Sequence, residues 1–350
     1  MRLVIAGGGP AALAAARAYR EAGGDGDVTL VTPEATTPYE RPPLSKRFLR
    51  GEIGESELVL EPAAWYVEHG VTVRNDLVTA IEPGTVKLRD ETLHYDACVV
   101  ATGSVPAPPS GHALVLRSLA DARALKQRAE RKRTATVIGS GFIGCEAAAS
   151  LAMRGLDVTL VSQEEIPHAA RLGAEAGRRI AGFLTDLGVT LELGRTLSRL
   201  PDGLVLVATG VEPAGPLGRI TVDERMRSEL PGVYAAGDVA FARNAAAGRH
   251  LAVEHWGEAL NMGAVAGRTI AGEDARWDVA PGFWSTIGER TVKYAAWGDG
   301  YDEARLVDHG GGAFTVWYGT DGTTVGVLTH ERDEDYERGR HLVETKAPLP

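Results

Sequence analysis

The pentapeptide Asp-Val-Thr-Leu-Val occurs twice, at residues 27–31 and 157–161, and each copy sits in the same surroundings. Ahead of the first, an apolar run at residues 3–6 leads into Gly7-Gly8-Gly9 and an alanine-rich stretch at 11–22. Ahead of the second, Ala135-Thr-Val-Ile runs into Gly139-Ser-Gly-Phe-Ile-Gly144, and an alanine-rich stretch carries on through Ser150. Downstream, Ala97-Cys-Val-Val-Ala-Thr-Gly103 is matched by Leu204-Val-Leu-Val-Ala-Thr-Gly210. A short apolar run without a polar break reads as a buried strand, and an alanine-rich run as a helix. The repeat of strand, glycine turn, helix, strand and Ala-Thr-Gly strand predicts two dinucleotide-binding folds in one chain.

The glycines have distinct tasks in such a turn. Gly7 permits the tight bend, Gly9 lets the backbone approach a pyrophosphate, and Ala12 stands at the third small position, where helix meets strand. Pro10 and Ala11 open the helix, whose free N–H groups and positive dipole face the phosphates. Gly139, Gly141, Phe142, Ile143 and Gly144 repeat the arrangement, and the turns after the two Ala-Thr-Gly strands place Ala101, Thr102, Gly103, Thr209 and Gly210 beside it. A ribose-reading acid is expected about 20 residues after the first turn. Thr32 and Pro33 intervene, so the candidate is Glu34, with a solvated turn residue as the alternative.

With 350 residues the chain is long enough for two or three domains. A net charge of −10 argues against nucleic-acid binding. No apolar run reaches the ~18 residues needed to cross a bilayer, and the first strand is too short for a signal peptide. The two cysteines, Cys98 and Cys145, form no Cys-x-x-Cys pair. They read as small buried residues in a reducing, cytoplasmic compartment, with no metal site and no redox disulfide.

In Pro38-Tyr-Glu-Arg-Pro-Pro-Leu-Ser-Lys46 the prolines stiffen the chain, exclude a helix and hold Arg41 and Lys46 on a rigid loop suited to an anionic cofactor. A short helix is expected at 62–68 and strands at 71–74, 78–81 and 86–89. Ser118 is a helix N-cap candidate. Residues 232–240 read as a strand ending in Gly237-Asp238, followed by a helix from Glu254 to about residue 270. The Trp-, Tyr- and Val-rich stretch beyond 277 predicts a small antiparallel sheet and a short charged helix.

The two repeats together with Tyr-Ala-Ala-Gly-Asp238 resemble the pyridine-nucleotide–disulfide oxidoreductase superfamily. Residues 38–46, Gly141-Phe-Ile-Gly-Cys-Glu146, Val253-Glu-His-Trp256 and Phe283-Trp-Ser285 sharpen the resemblance to the NAD(P)H-dependent ferredoxin/putidaredoxin/rubredoxin reductases. The resemblance implies an α/β protein with two Rossmann-like dinucleotide-binding domains plus a small C-terminal α+β domain. Residues 1–110 and 232–276 would form a discontinuous FAD-binding domain, 111–231 the NAD(P)H-binding domain and 277–350 a C-terminal interface domain. It also implies that Gly7, Gly9, Pro10, Ala11 and Ala12 hold the FAD pyrophosphate, with Arg41, Val78, Arg117 and Asp238 on other parts of FAD. Glu254, His255 and Trp256 would border the flavin ring. Lys46 would lie near the reactive flavin nitrogen, paired with Glu146; these two are the catalytic candidates.

Three departures from the family stand out. The strand-end position that carries an acid in NADH-using relatives is Ser162, followed by Gln163, Glu164 and Glu165, with His168 and Arg171 the distant candidates for a 2′-phosphate. NADH and NADPH both stay open. Residues 193–204 form a bare connection, and the stretch after Ser285 is shortened. The resemblance implies hydride transfer from NAD(P)H to FAD and single-electron delivery to an iron–sulfur protein, by a monomer or homodimer. The alternatives are an NAD(P)H oxidase or small-molecule reductase, or a flavin–nicotinamide redox-sensing protein.

Overall fold

The computed structural model of the chain describes residues 1–109 and 111–350. Ser110, where the expected first domain boundary falls, lies outside the described residues. The protein is an α/β molecule with two Rossmann-like parallel sheets, and its contacts divide it into two units, each assembled from three segments of chain.

The first unit comprises Met1–Glu40, Val59–Val105 and Glu212–Pro281. Its parallel sheet runs in the order Val233–Ala235, Ala97–Val100, Arg2–Ala6, Asp27–Thr32, Val71–Asn75. Ile5 pairs with Leu30 on one side and Val99 on the other, and all three are fully buried. Strands covered on both faces must be apolar throughout, which is why these runs show no polar alternation. The Pro10–Glu21 helix packs on the Trp256–Ile270 helix through small residues. A Cβ on Gly263 would strike the Ala11 carbonyl oxygen, and one on Gly267 the Ala15 carbonyl oxygen. The alanine-rich composition is therefore a condition of close helix packing as well as of helix propensity.

The strands expected at 78–81 and 86–89 are displaced to Ala80–Glu82 and Thr85–Lys87. Pro83-Gly84 is the two-residue loop between them, with Gly84 at φ 77°, so Ile81 pairs with Val86. Turn geometry, not the apolar run, sets where the pairing falls.

The second unit comprises Arg41–Leu58, Pro106–Val211 and Gly282–Pro350. One parallel sheet runs Thr190–Glu192, Asp157–Val161, Thr134–Ile138, Leu204–Val207. An antiparallel sheet runs Gly282–Ile287, Arg290–Ala296, Thr323–His330, Ala313–Thr320, Glu303–Gly310, followed by the charged helix Asp333–Glu344. One hydrophobic core serves both sheets, with Val137, Leu160 and Leu206 of the first in the same cluster as Val292, Phe314 and Leu328 of the second. Ser118 caps Leu119–Ala129 as expected: its hydroxyl accepts from Asp121 N at 3.2 Å, and its own N–H donates to the Asp121 carboxylate at 2.8 Å.

The prolines of the 38–46 loop do not exclude helical geometry. Pro42–Ser45 forms a 3₁₀ turn and Arg47–Arg50 a single α-helical turn, ended by Gly51 at φ 82°. Proline fits the first turn because the N–H it lacks would have no helical partner there. Among the described residues no helix is long and apolar enough to cross a membrane.

Candidate functional site

In the first unit, the Arg2–Ala6 strand ends at Gly7, whose φ of 139° suits glycine alone. A Cβ there would strike the Ala101 carbonyl oxygen, whereas nothing lies within 4 Å of a Cβ built on Gly9. The turn is thus closed on its strand side and open at the glycine that precedes the helix. Pro10 is the first helical residue, and Ala11 and Ala12 are buried, Ala12 completely. Gly237, at φ 77°, comes to the same place: its Cβ would lie 3.3 Å from that of Ala11. The adjoining Asp238 is buried, and its carboxylate accepts from Ser104 Oγ at 2.6 Å. Thr102, between Ala101 and Gly103, donates its hydroxyl to Ala214 O at 2.6 Å.

The remaining candidates of this unit are more dispersed. Tyr39 Oη donates to Glu34 Oε2 at 2.5 Å, and Glu34 N donates to Thr32 Oγ1 at 3.2 Å, so this acid is held and not a loose turn residue. Val78 is buried just ahead of Ala80–Glu82. Glu254 lies 3.7 Å from Arg219, His255 occupies the N-cap of Trp256–Ile270, and Trp256 begins that helix.

The second unit repeats the glycine device. A Cβ on Gly139, at φ 111°, would strike the Ala208 carbonyl oxygen, just ahead of Thr209 and Gly210, and a Cβ on Gly144 would strike the Gly139 carbonyl oxygen. Nothing lies within 4 Å of a Cβ on Gly141, the N-cap of Phe142–Met153. Both turns therefore fit a dinucleotide pyrophosphate, with a small open cradle backed by unsatisfied helix N–H groups. The Phe142 ring packs on His168 at 4.0 Å and on Phe283 at 4.6 Å, while Ile143 is largely exposed.

At the end of Asp157–Val161, Ser162 is buried with its Oγ 2.7 Å from Ser140 Oγ. Ser140 donates to Glu164 Oε2 at 2.8 Å, and Glu164 N donates to Ser162 Oγ at 3.2 Å. Neither distant cation candidate is poised for a phosphate. Burial pushes the His168 imidazole down to about 4, with Arg171 adding to the shift, so it is neutral near pH 7. The Arg171 guanidinium lies over the rings of Phe283 and Tyr294, at 5.4 and 5.8 Å.

The catalytic candidates meet. Lys46 Nζ donates to Glu146 Oε2 at 2.6 Å, with the two side chains 13% and 4% exposed. Lys46 also donates to Pro42 O at 2.9 Å, a carbonyl that the 3₁₀ turn points forward, toward the end where Lys46 stands. Two hydroxyls complete the acid's shell: Ser45 Oγ donates to Oε2 at 2.6 Å, and Ser285 Oγ to Oε1 at 2.7 Å. Ser45, Ser285 and Tyr39 had no assigned role from sequence: the two serines lie 101 and 139 residues from Glu146, and Tyr39, only five residues from Glu34, reaches it through the bend of the intervening loop. Arg41 donates to Arg117 O at 2.9 Å, which brings these two candidates together as well.

The thiols are inert. Burial pushes Cys98 up to about 12, and burial reinforced by Glu146 and Glu164 pushes Cys145 well above the usual thiol range. Both are free and buried, so neither supplies a thiolate at neutral pH.

Residues 1–263 match the family model described as pyridine nucleotide-disulphide oxidoreductase. A ferredoxin–NAD(P)⁺ reductase of a Sphingomonas species is 30% identical, over 99% of this chain and 93% of that protein. The ferredoxin–NAD⁺ reductase component of an anthranilate 1,2-dioxygenase system from Burkholderia cepacia is 31% identical, over 97% of this chain and 93% of its own. Among solved structures, a covalent putidaredoxin reductase–putidaredoxin complex superposes with a TM-score of 0.92 at 25% identity, covering 99% of this chain and 94% of the matched one.

Proposed function

The chain belongs to the pyridine nucleotide–disulphide oxidoreductase family, and from that premise we propose that it is a ferredoxin-type reductase delivering electrons from NAD(P)H, through FAD, to an iron–sulfur protein. The observation that carries this reading is the duplicated cradle: Gly9 and Gly141 each leave open space at a helix N-terminus, so the chain offers two dinucleotide sites. We assign FAD to the first and NAD(P)H to the second. The chemistry that bound FAD supplies is acceptance of a hydride from the nicotinamide and release of the two electrons singly.

The chain's own part is binding, orientation and charge. The N–H groups after Gly9 and Gly141 hold the two pyrophosphates. Asp238, aimed by Ser104, takes the ribityl hydroxyls, and Arg41 and Arg117 add cationic character toward FAD. Lys46 keeps an ammonium near the flavin nitrogen, while Glu146 and its serine donors fix that ammonium's position and balance its charge. No thiol takes part, in keeping with the protonated state of both cysteines. The relatives named as reductases of ferredoxin and putidaredoxin support an iron–sulfur acceptor, and the C-terminal antiparallel sheet is our candidate for its docking surface. Two free buried cysteines favour a cytoplasmic setting.

The test is steady-state NAD(P)H turnover of the FAD-loaded protein with ferredoxin coupled to cytochrome c, compared with oxygen alone. Ferredoxin-dependent turnover is expected. Equal rates with oxygen alone point to an oxidase, and flavin reduction without onward turnover points to a redox sensor.

A further inference from the structure

We propose that Glu164, rather than the strand-end residue, reads the ribose of the nicotinamide nucleotide and makes NADH the preferred donor over NADPH. This rests on the reading that the second glycine turn holds NAD(P)H. In a Rossmann fold the ribose is read from the end of the second strand, by an acid for NAD or beside an arginine for NADP. Here that place is taken by Ser162, whose buried hydroxyl is spent on Ser140 and on Glu164 N.

Glu164 follows two residues later, and three contacts hold it, one of them from the glycine turn. Ser140, which stands between Gly139 and Gly141, donates to Glu164 Oε2 at 2.8 Å, and His168 N donates to the same oxygen at 3.3 Å. The third is the 3.2 Å bond from its own N–H to Ser162. One carboxylate oxygen is thereby fixed, while Oε1 has no hydrogen-bond partner among the described residues and stays available as an acceptor. The side chain is only partly buried, so its charge reaches the open side of the turn. A ribose diol donates hydrogen bonds to such a group. A 2′-phosphate has only acceptors to offer and carries a like charge.

Among the described residues no cation close to Ser162 or Glu164 reverses that preference. His168 is neutral near pH 7, Arg171 is stacked on Phe283 and Tyr294, and the Arg195 guanidinium, next to Ser162 through its backbone, is paired with Glu192. The acid has been displaced along the chain, and Ser140 is the residue that brings it back.

Calorimetric titration of the FAD-loaded protein with 5′-AMP and with 2′,5′-ADP isolates this contact from catalysis, and NADH and NADPH titrations of flavin reduction run beside it. We expect 5′-AMP to bind at least about tenfold more tightly than 2′,5′-ADP, the scale of one charged hydrogen bond. Glu164→Gln should bring the two within about threefold. Ser140→Ala should shrink the ratio by releasing the carboxylate, and Ser140→Thr, which keeps a donor, should restore it. A melting curve and circular dichroism like the parent's confirm that each variant is folded. Equal or tighter binding of 2′,5′-ADP to the parent protein overturns the assignment, as does a ratio that Glu164→Gln leaves unchanged. If neither fragment binds and neither NADH nor NADPH reduces the flavin, it is the nucleotide reading of the second turn that has failed, and this assignment falls with it.

Discussion

Lys46→Met removes an ammonium from a nearly closed pocket and keeps an unbranched side chain of similar length. Its partner Glu146 is only 4% exposed, so the carboxylate stays where water cannot replace the lost charge. Breaking a buried pair from one side costs about 3–5 kcal/mol. The Ser45 and Ser285 hydroxyls continue to donate to Glu146, which places this variant at the lower end, about 3 kcal/mol. Glu146→Leu strips the shared acceptor from all three donors and leaves Lys46 only the Pro42 carbonyl and Ser45 hydroxyl, so it should cost about 4–5 kcal/mol. The double variant leaves no charge unpaired but still strips the acceptor from the buried Ser45 and Ser285 hydroxyls, so it should cost clearly less than the two single losses added together without returning to the parent. Urea unfolding of the FAD-loaded proteins gives the cycle, with melting shifts of about 1–2 °C per kcal/mol as a cross-check. Additive single effects, or a Lys46→Met loss under about 0.5 kcal/mol, would show that the pair is solvated and uncoupled. Stopped-flow bleaching adds the functional arm: Lys46→Met should keep FAD yet be reduced more slowly by NAD(P)H, and an unchanged rate strikes Lys46 from the catalytic set.

Gly141→Val should abolish nicotinamide binding while FAD stays bound, because its Cβ enters open space at an ordinary φ of −66° and meets no protein atom; a flavin-free, folded variant would show that the two sites are exchanged. Cys98→Ser with Cys145→Ser should retain electron transfer in whatever fraction remains folded, since both thiols are held protonated; a folded but inactive double variant would refute this. Burial holds the His168 imidazole at about 4, below its unfolded value of 6.5, so the unfolded chain takes up the proton first as pH falls. Stability is therefore whole above pH 6.5 and declines toward pH 4, by about 3 kcal/mol from this group. His168→Asn, which tolerates the left-handed φ of 59°, should flatten that part of the pH–melting curve; an unchanged slope assigns the acid sensitivity elsewhere.

Both glycine turns were legible because sterics leave no other residue at Gly7 and Gly139, where a side chain would strike a carbonyl of the neighbouring strand. The Lys46–Glu146 pairing was legible only through the resemblance, since 100 residues separate the partners. Nothing local marked Ser285 as a donor to Glu146, 139 residues away, and a serine in a strand looks alike whether it faces an acid or water. The helix Ala169–Thr185 carries a readable apolar spacing at Leu172, Ala176, Ile180 and Leu184. It is obscured by its left-handed first cap, His168, and by the kink at Gly173. The hairpin at 80–87 was misplaced because apolar runs do not fix register where a Pro-Gly turn does.

The Ala97–Val100 strand lies between Arg2–Ala6 and Val233–Ala235. On the ribosome its first edge can be covered at once, but the second waits until residue 235 has been made and released. At about 5–20 residues per second that interval lasts about 7–27 s, during which a fully apolar edge of the nascent chain stays unpaired. The chain passes between its two units at 40/41, 58/59, 105/106, 211/212 and 281/282, so no contiguous fragment can be cut out to fold ahead of the rest. Slower translation before residue 235 lengthens that exposure, and the yield of native protein should depend on holdase chaperones in proportion to it.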